Sequence, residues 1–210
     1  MVDVYIVRHG NTFDPGDIVR RVGARTDLPL SRSGCKQADA LATHFQRLHP
    51  QGFRAGFCST LMRTRQTAET IIDAFDRKPH LQVLQFLCEV DYGPDENMPE
   101  ADVVARIGAD ALDLWDTQGV VPPGWKVDPA DLIDQWSAFF SGQKAADHNG
   151  EPILVVTSNG IARFVLQAAD TSRLDSVSIK LKTGAYGVVS LCEGPGPVVT
   201  RWGIRPPDSV

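Results

Sequence analysis

Two short β-branched runs constrain this chain most: residues 2–7 (VDVYIV) and 152–157 (PILVVT), each with four consecutive apolar residues. Runs that do not alternate polar with apolar read as strands buried on both faces, the kind a covered parallel sheet requires. Further strands are expected at 53–59, 81–87, 186–193 and 198–202. The last two flank Gly-Pro-Gly-Pro at 194–197 and read as a hairpin. Between the strands lie helical patterns. Ser31-Arg32-Ser33-Gly34 opens the first, with Ala38, Leu41, Ala42, Phe45 and Leu48 on one face and Pro50 and Gly52 closing it. Others are expected at 61–75, near 100–116 and 129–141, and at 159–169. Strands alternating with helices predict a three-layer α/β/α fold with a mainly parallel central sheet and one antiparallel edge strand.

The length of 210 residues suits one α/β domain, with an acidic helical insertion at about 94–150 that is too short and too Pro-broken to hold a core of its own. Residues 91–151 hold 13 Asp and Glu against 3 Arg and Lys, while the whole chain carries −5. That balance argues against a nucleic-acid or anionic-membrane surface. Trp115, Trp125 and Trp136 are expected to pack locally within the insertion. Cys35, Cys58, Cys88 and Cys192 form no C-x-x-C pair and no zinc spacing, and read as reduced, buried thiols. No basic segment precedes a long apolar stretch, and none approaches the ~18 apolar residues that span a bilayer. The expected location is cytoplasmic, with no metal or cofactor.

In open α/β sheets, ligands bind at the carboxyl ends of the strands. Four such ends carry polar residues here: Arg8-His9-Gly10-Asn11-Thr12, Ser59-Thr60-Leu61-Met62-Arg63, Glu89, and Thr157-Ser158-Asn159-Gly160. Parallel strands bring them to one edge. Guanidinium groups bind phosphate oxygens bidentately, a neutral imidazole nitrogen attacks phosphorus, and a carboxyl group moves the protons. That set predicts phosphoryl chemistry. Asp91 is the alternative carboxylate beside Glu89. Arg21 and Arg25, in the long loop at 11–30, are either solvated charges or further ligands. Arg65 and Arg163 read as surface or salt-bridge residues. Neither G-x-G-x-x-G nor G-x-x-x-x-G-K-[ST] follows the first strand, so a nucleotide-binding reading is set aside.

These residues carry a resemblance. Residues 7–12 (VRHGNT) are similar to the R-H-G-[EQN]-[TS] signature of the histidine phosphatase (phosphoglycerate mutase-like) superfamily. Leu30-Ser31-x-x-Gly34-x-x-Gln37-Ala38, then 58–68 (CSTLMRTRQTA), then 87–93 (LCEVDYG) resemble its following segments in order. The resemblance implies a phosphoglycerate mutase-like fold and a metal-independent phosphomonoester hydrolase. His9 would be the nucleophile, Arg8 and Arg63 the phosphate clamp, Glu89 the proton donor, and Asn11 and Asn159 substrate contacts. The expected partner is a small phosphorylated molecule or inorganic phosphate, with a homodimer as the assembly considered.

One position departs from the pattern. The family's last motif, V-S-H-G-G-x-x-R, reads Val156-Thr157-Ser158-Asn159-Gly160-Ile161-Ala162-Arg163, so Ser158 stands where a second histidine is expected. A serine can donate one hydrogen bond but cannot carry positive charge. Ser158 is either a cap for Gly160 or Ile161 or a substrate contact, and His44, His49, His80 and His148 offer no substitute. This departure keeps a second reading open, a phosphate-binding protein without efficient catalysis, and argues against a mutase proper. As a cover over the site, the acidic insertion would favour a single phosphate with a neutral or cationic remainder; otherwise its carboxylates face solvent.

Overall fold

The computed structural model describes residues 1–146, 150–175, 178–192, 194 and 196–207. His148, Glu193 and Pro195 lie outside them. Six strands form one sheet: β1 (Val2–Arg8), β2 (Ala55–Cys58), β3 (Leu81–Val83), β4 (Ile153–Thr157), β5 (Tyr186–Leu191) and β6 (Val198–Ile204), in the order β3-β2-β4-β1-β5-β6. The first four run parallel. β5 is antiparallel to β1, and the β5–β6 pair closes that edge.

The unbroken apolar runs face both ways, as expected. Val4 and Ile6 of β1, with Ile153 and Val155 of β4, pack into one core cluster. Tyr5 and Val7, with Leu154 and Val156, pack into the other. Against the second cluster lie α1 (Arg32–Leu48), through Leu41 and Phe45, and α2 (Met62–Asp73), through Ala68, Ile71 and Ile72. Ser31 caps α1 by accepting from the Gly34 N–H. Against the first cluster lie α4 (Ala109–Gln118), α5 (Pro129–Ala145), α6 (Asn159–Ala162) and α7 (Val165–Ala168). Asp128 caps α5 and Pro129 opens it. The chain therefore leaves β1 toward one face and its neighbour β4 toward the other. That divergence opens a crevice at their carboxyl ends, and the β1–β4 register sets Arg8 level with Thr157 there.

Several expectations are corrected. The tryptophans of the insertion pack locally, Trp115 edge-to-face on Trp125 and Trp136 on Phe139 and Phe140, but their packing is not confined to the insertion. Trp115, Trp125 and Trp136 are all buried in the same cluster as Val4 and Ile6, and the Trp136 indole N–H donates to the Ile161 carbonyl. The insertion forms α3 (Glu100–Ile107), α4 and α5. The expected strand at 81–87 keeps only three residues in the sheet before a 3₁₀ turn over Gln85–Leu87, because β3 is an edge strand with β2 as its neighbour. The expected helix at 159–169 is split, its turns at Phe164 and Leu166 tightened to i→i−3 bonds. Of the cysteines, only Cys58 is buried, while Cys35 is exposed and the other two are half-buried. Among the described residues, no helix is long and apolar enough to cross a membrane.

Candidate active site

A cavity of about 370 Å³ opens at the crevice. Arg8, His9, Asn11, Arg21, Arg63, Glu89 and Asn159 all line it, so seven of the expected residues meet at one place. Two do not. The Arg25 side chain is half-exposed and turned to Asp91 and the Gly93 carbonyl, and Arg25 lines a neighbouring cavity with Lys126 and Cys88 instead. Asp91, the alternative carboxylate, is held there by Arg25 and Lys126.

Ser158 is fully buried, but it neither lines the cavity nor caps the helix after it. Its Oγ has no hydrogen-bond partner. The capping expectation is thus corrected.

His9 is 6% exposed and its ring orientation is fixed. Nδ1 lies 2.7 Å from the Gly10 carbonyl oxygen. A carbonyl only accepts, so Nδ1 carries the proton and Nε2 keeps its lone pair. Arg63 Nε donates to that lone pair at 3.2 Å. Burial, then the charges of Arg63 and Arg8, push the His9 pKa well below its usual 6.5. The ring is therefore neutral, with its nucleophilic nitrogen turned toward a guanidinium.

Arg63 is buried in the first turn of α2. Its Nη1 donates to the Thr26 carbonyl at 2.9 Å and its Nη2 to the Gly23 carbonyl at 3.2 Å. These bonds leave one N–H on each terminal nitrogen for an oxyanion. Arg8 Nη1 donates to the Leu181 carbonyl at 2.8 Å, while its Nε is buried without a partner. Burial lowers the pKa of both arginines, with Glu89 opposing it, yet a guanidinium stays charged.

Glu89 is buried and lines the same cavity. Its Oε2 accepts from the Gly160 N–H at 3.2 Å, and its Oε1 from its own neighbour Val90. A Cβ at position 160 would stand 2.1 Å from Glu89 Oε1, which is why glycine occupies it. Asn159 Oδ1 accepts from the Leu181 N–H at 2.8 Å, so it steadies the segment that holds Arg8. The Asn11 side chain is spent between Ser33 and Thr183.

Motif residues away from the cavity have structural reasons as well. Thr67 Oγ1 accepts from the Gly10 N–H and donates to the Arg63 carbonyl, tying the two arms of the site together. Gln37 accepts from the Asn11 N–H and Gln66 from the Leu30 N–H. Gly10 and Gly34 meet backbone to backbone; a Cβ on either would lie within 2.4 Å of a carbonyl oxygen.

Several participants were not singled out from the sequence. Lys180 and Thr183 line the cavity because β5, running antiparallel, begins at the edge where the parallel strands end. A hairpin following the last helix is the signal that places its leading segment there. Glu96, from the insertion, accepts from the N–H groups of Gly23 and Arg25 and from the Thr26 hydroxyl on one oxygen. It thereby fixes the loop whose carbonyls hold Arg63. Arg21 lies over the rings of Tyr92 and Trp125 and pairs with Glu100. Among the described residues of the insertion, the carboxylates that line the cavity are Glu100 and Asp116, and each is paired with a cation, Arg21 and Lys180. The expectation of a neutral or cationic substrate remainder loses its support there.

The family profile of the histidine phosphatase superfamily (branch 1) matches residues 4–205. The chain belongs to this superfamily, whose chemistry is phosphoester hydrolysis or transfer. A probable phosphoglycerate mutase, GpmB, of Yersinia pestis (strain Pestoides F) is 42% identical over 74 residues, 35% of this chain and 32% of that protein. The chain thus matches about a third of the length of such curated relatives. Two solved structures share the fold over 97% of this chain. The α-ribazole phosphatase from Shigella flexneri is covered to 96%, with a TM-score of 0.70 at 20% identity. A mycobacterial glucosyl-3-phosphoglycerate phosphatase is covered to 99%, with a TM-score of 0.75 at 18% identity.

Proposed function

We propose that this protein hydrolyses small phosphomonoesters through a phosphohistidine on His9, without a metal. The observation that carries the reading is the neutral, buried His9 whose Nε2 lone pair faces Arg63. In the first step Nε2 attacks phosphorus, the bond from phosphorus to the ester oxygen breaks, and the Glu89 carboxyl gives its proton to the leaving oxygen. The Arg63 Nε–H, freed from the ring nitrogen, donates a hydrogen bond to a phosphoryl oxygen without giving up its proton, and Arg8 supplies the second guanidinium. The phosphorylated ring is cationic, and its Nδ1–H is held by the Gly10 carbonyl. In the second step water attacks phosphorus and gives a proton to the Glu89 carboxylate. The N–P bond breaks with its electron pair returning to Nε2, and inorganic phosphate leaves.

Ser158 favours a second reading, a phosphate-binding member of low turnover. Its buried, unpartnered hydroxyl supplies no cation where the family pattern has a histidine. Loss of one pre-organised donor costs roughly 10²–10³ in rate. Turnover of an aryl phosphate separates the readings. His9→Ala is expected to abolish wild-type hydrolysis. A wild-type protein that binds phosphate but turns nothing over, and gains activity with Ser158→His, supports the second reading instead. Full activity in His9→Ala contradicts the phosphohistidine mechanism.

A further inference from the structure

Arg163 does not line the cavity, yet it is among the largest fully buried side chains of the molecule, 1% exposed. A buried guanidinium is costly to desolvate unless it is paired and hydrogen-bonded. Its Nη1 donates to the Trp115 carbonyl and its Nε to the Asn159 carbonyl at 3.4 Å. Its Cζ lies 3.8 Å from the centre of the Trp115 ring, and Nη2 lies 3.8 Å from Asp116 Oδ1. Trp115, Asp116 and Asn159 all line the cavity. The first two come from α4 and the third from the start of α6, so one buried cation joins the insertion to the catalytic edge. The other oxygen of Asp116 takes the Lys180 ammonium at 2.5 Å. Lys180 lines the same cavity and is half-exposed. Asp116 thus bonds Lys180 and stands at ion-pair distance from Arg163 Nη2, which has no hydrogen-bond partner of its own; two cations beside one carboxylate leave one positive charge over, and Lys180 is its accessible end.

We propose that Arg163 is a positioning residue that seats α4 on the cavity, and that Lys180, held by Asp116, binds the leaving-group side of the substrate. The inference rests on the reading that the phosphate sits at His9, Arg8 and Arg63. An ammonium has three donors and no acceptor. The group it recognises is therefore an oxygen acceptor on the substrate remainder, a carboxylate, carbonyl or hydroxyl.

Calorimetric titration of the full chain tests this without turnover. The probes are methylphosphonate, which fills the phosphate position alone, and carboxyalkyl phosphonates with two to four methylenes. Wild type is expected to bind at least one carboxyalkyl probe more tightly than methylphosphonate. Arg163→Met and Lys180→Ala should each weaken that probe roughly tenfold, the scale of one hydrogen bond to a charged group, with methylphosphonate unchanged. The double variant should be no weaker than the singles, because one residue acts through the other.

The inference is overturned if wild type shows no preference, or if both variants keep it. Weakening of methylphosphonate in parallel also overturns it, since that marks Arg163 as support for the whole fold. Should Arg163→Met fail to fold, Lys180→Ala alone decides. A wild-type protein that binds neither class of probe removes the phosphate-site reading itself, and this inference with it.

Discussion

At the scale of single residues, the proton on His9 Nδ1 decides what the ring can do. The Gly10 carbonyl fixes it there, and burial between two guanidinium groups keeps the ring from taking a second. In the proposed mechanism Glu89 then manages the protons of the leaving group. That assignment has a chemical signature. A nitrophenolate leaves without help, whereas an alkoxide needs a proton. Glu89→Gln is expected to cost an alkyl phosphate about 10²-fold or more in kcat/KM, and p-nitrophenyl phosphate much less. Equal losses on the two substrates would remove Glu89 from the acid role. His9, Arg8, Arg63 and Glu89 were legible because each follows an apolar run or sits in a recognisable motif. Arg163 was not. An arginine four residues into a helix reads as surface, and only the packing of α4 over it turns it inward. Arg25 misled for the opposite reason, since a loop position does not reveal which wall the side chain meets.

At the scale of elements, the β1–β4 crevice followed from the strand runs and the helices between them. The segment ahead of β5 did not, because its place depends on an antiparallel strand entering at the edge that carries the cavity. The insertion was legible as helical and acidic, but its contribution to the core was hidden. Composition does not show that Trp115, Trp125 and Trp136 reach the same cluster as Val4 and Ile6. Nor does it show that Glu96 gathers three donors from the loop that holds Arg63. Removing that carboxylate leaves the donors short of an acceptor. Glu96→Ala is expected to destabilise the fold by roughly 1–3 kcal/mol and to weaken inorganic phosphate binding several-fold. Denaturant melts and phosphate titration check both, and an unchanged phosphate affinity would detach this loop from the site.

At the scale of the whole molecule, the histidines with lowered pKa and the low-pKa carboxylates act in the same direction. Burial holds His9, His44 and His49 below 6.5. The unfolded chain therefore binds protons that the native state refuses once the pH falls below 6.5, and stability present above that value is lost on the way down. Hydrogen bonds from Ser33 and Ser31 hold Asp14 at about 2, and Arg106 and Trp125 outweigh burial to keep Asp95 below 3.8. Their contribution is present above 3.8 and is lost as the pH falls toward their native values. The melting temperature should accordingly rise from pH 4 to pH 7, and a higher value at pH 5 than at pH 7 would contradict the charge assignments.

In the proposed reaction His9 Nε2 is the atom that meets phosphorus. A crystal of the protein soaked in orthovanadate tests it most directly. Vanadium is expected bonded to His9 Nε2, with Arg8 and Arg63 donating to its equatorial oxygens. Vanadate seated elsewhere in the cavity, or held by the arginines with His9 turned away, would contradict it.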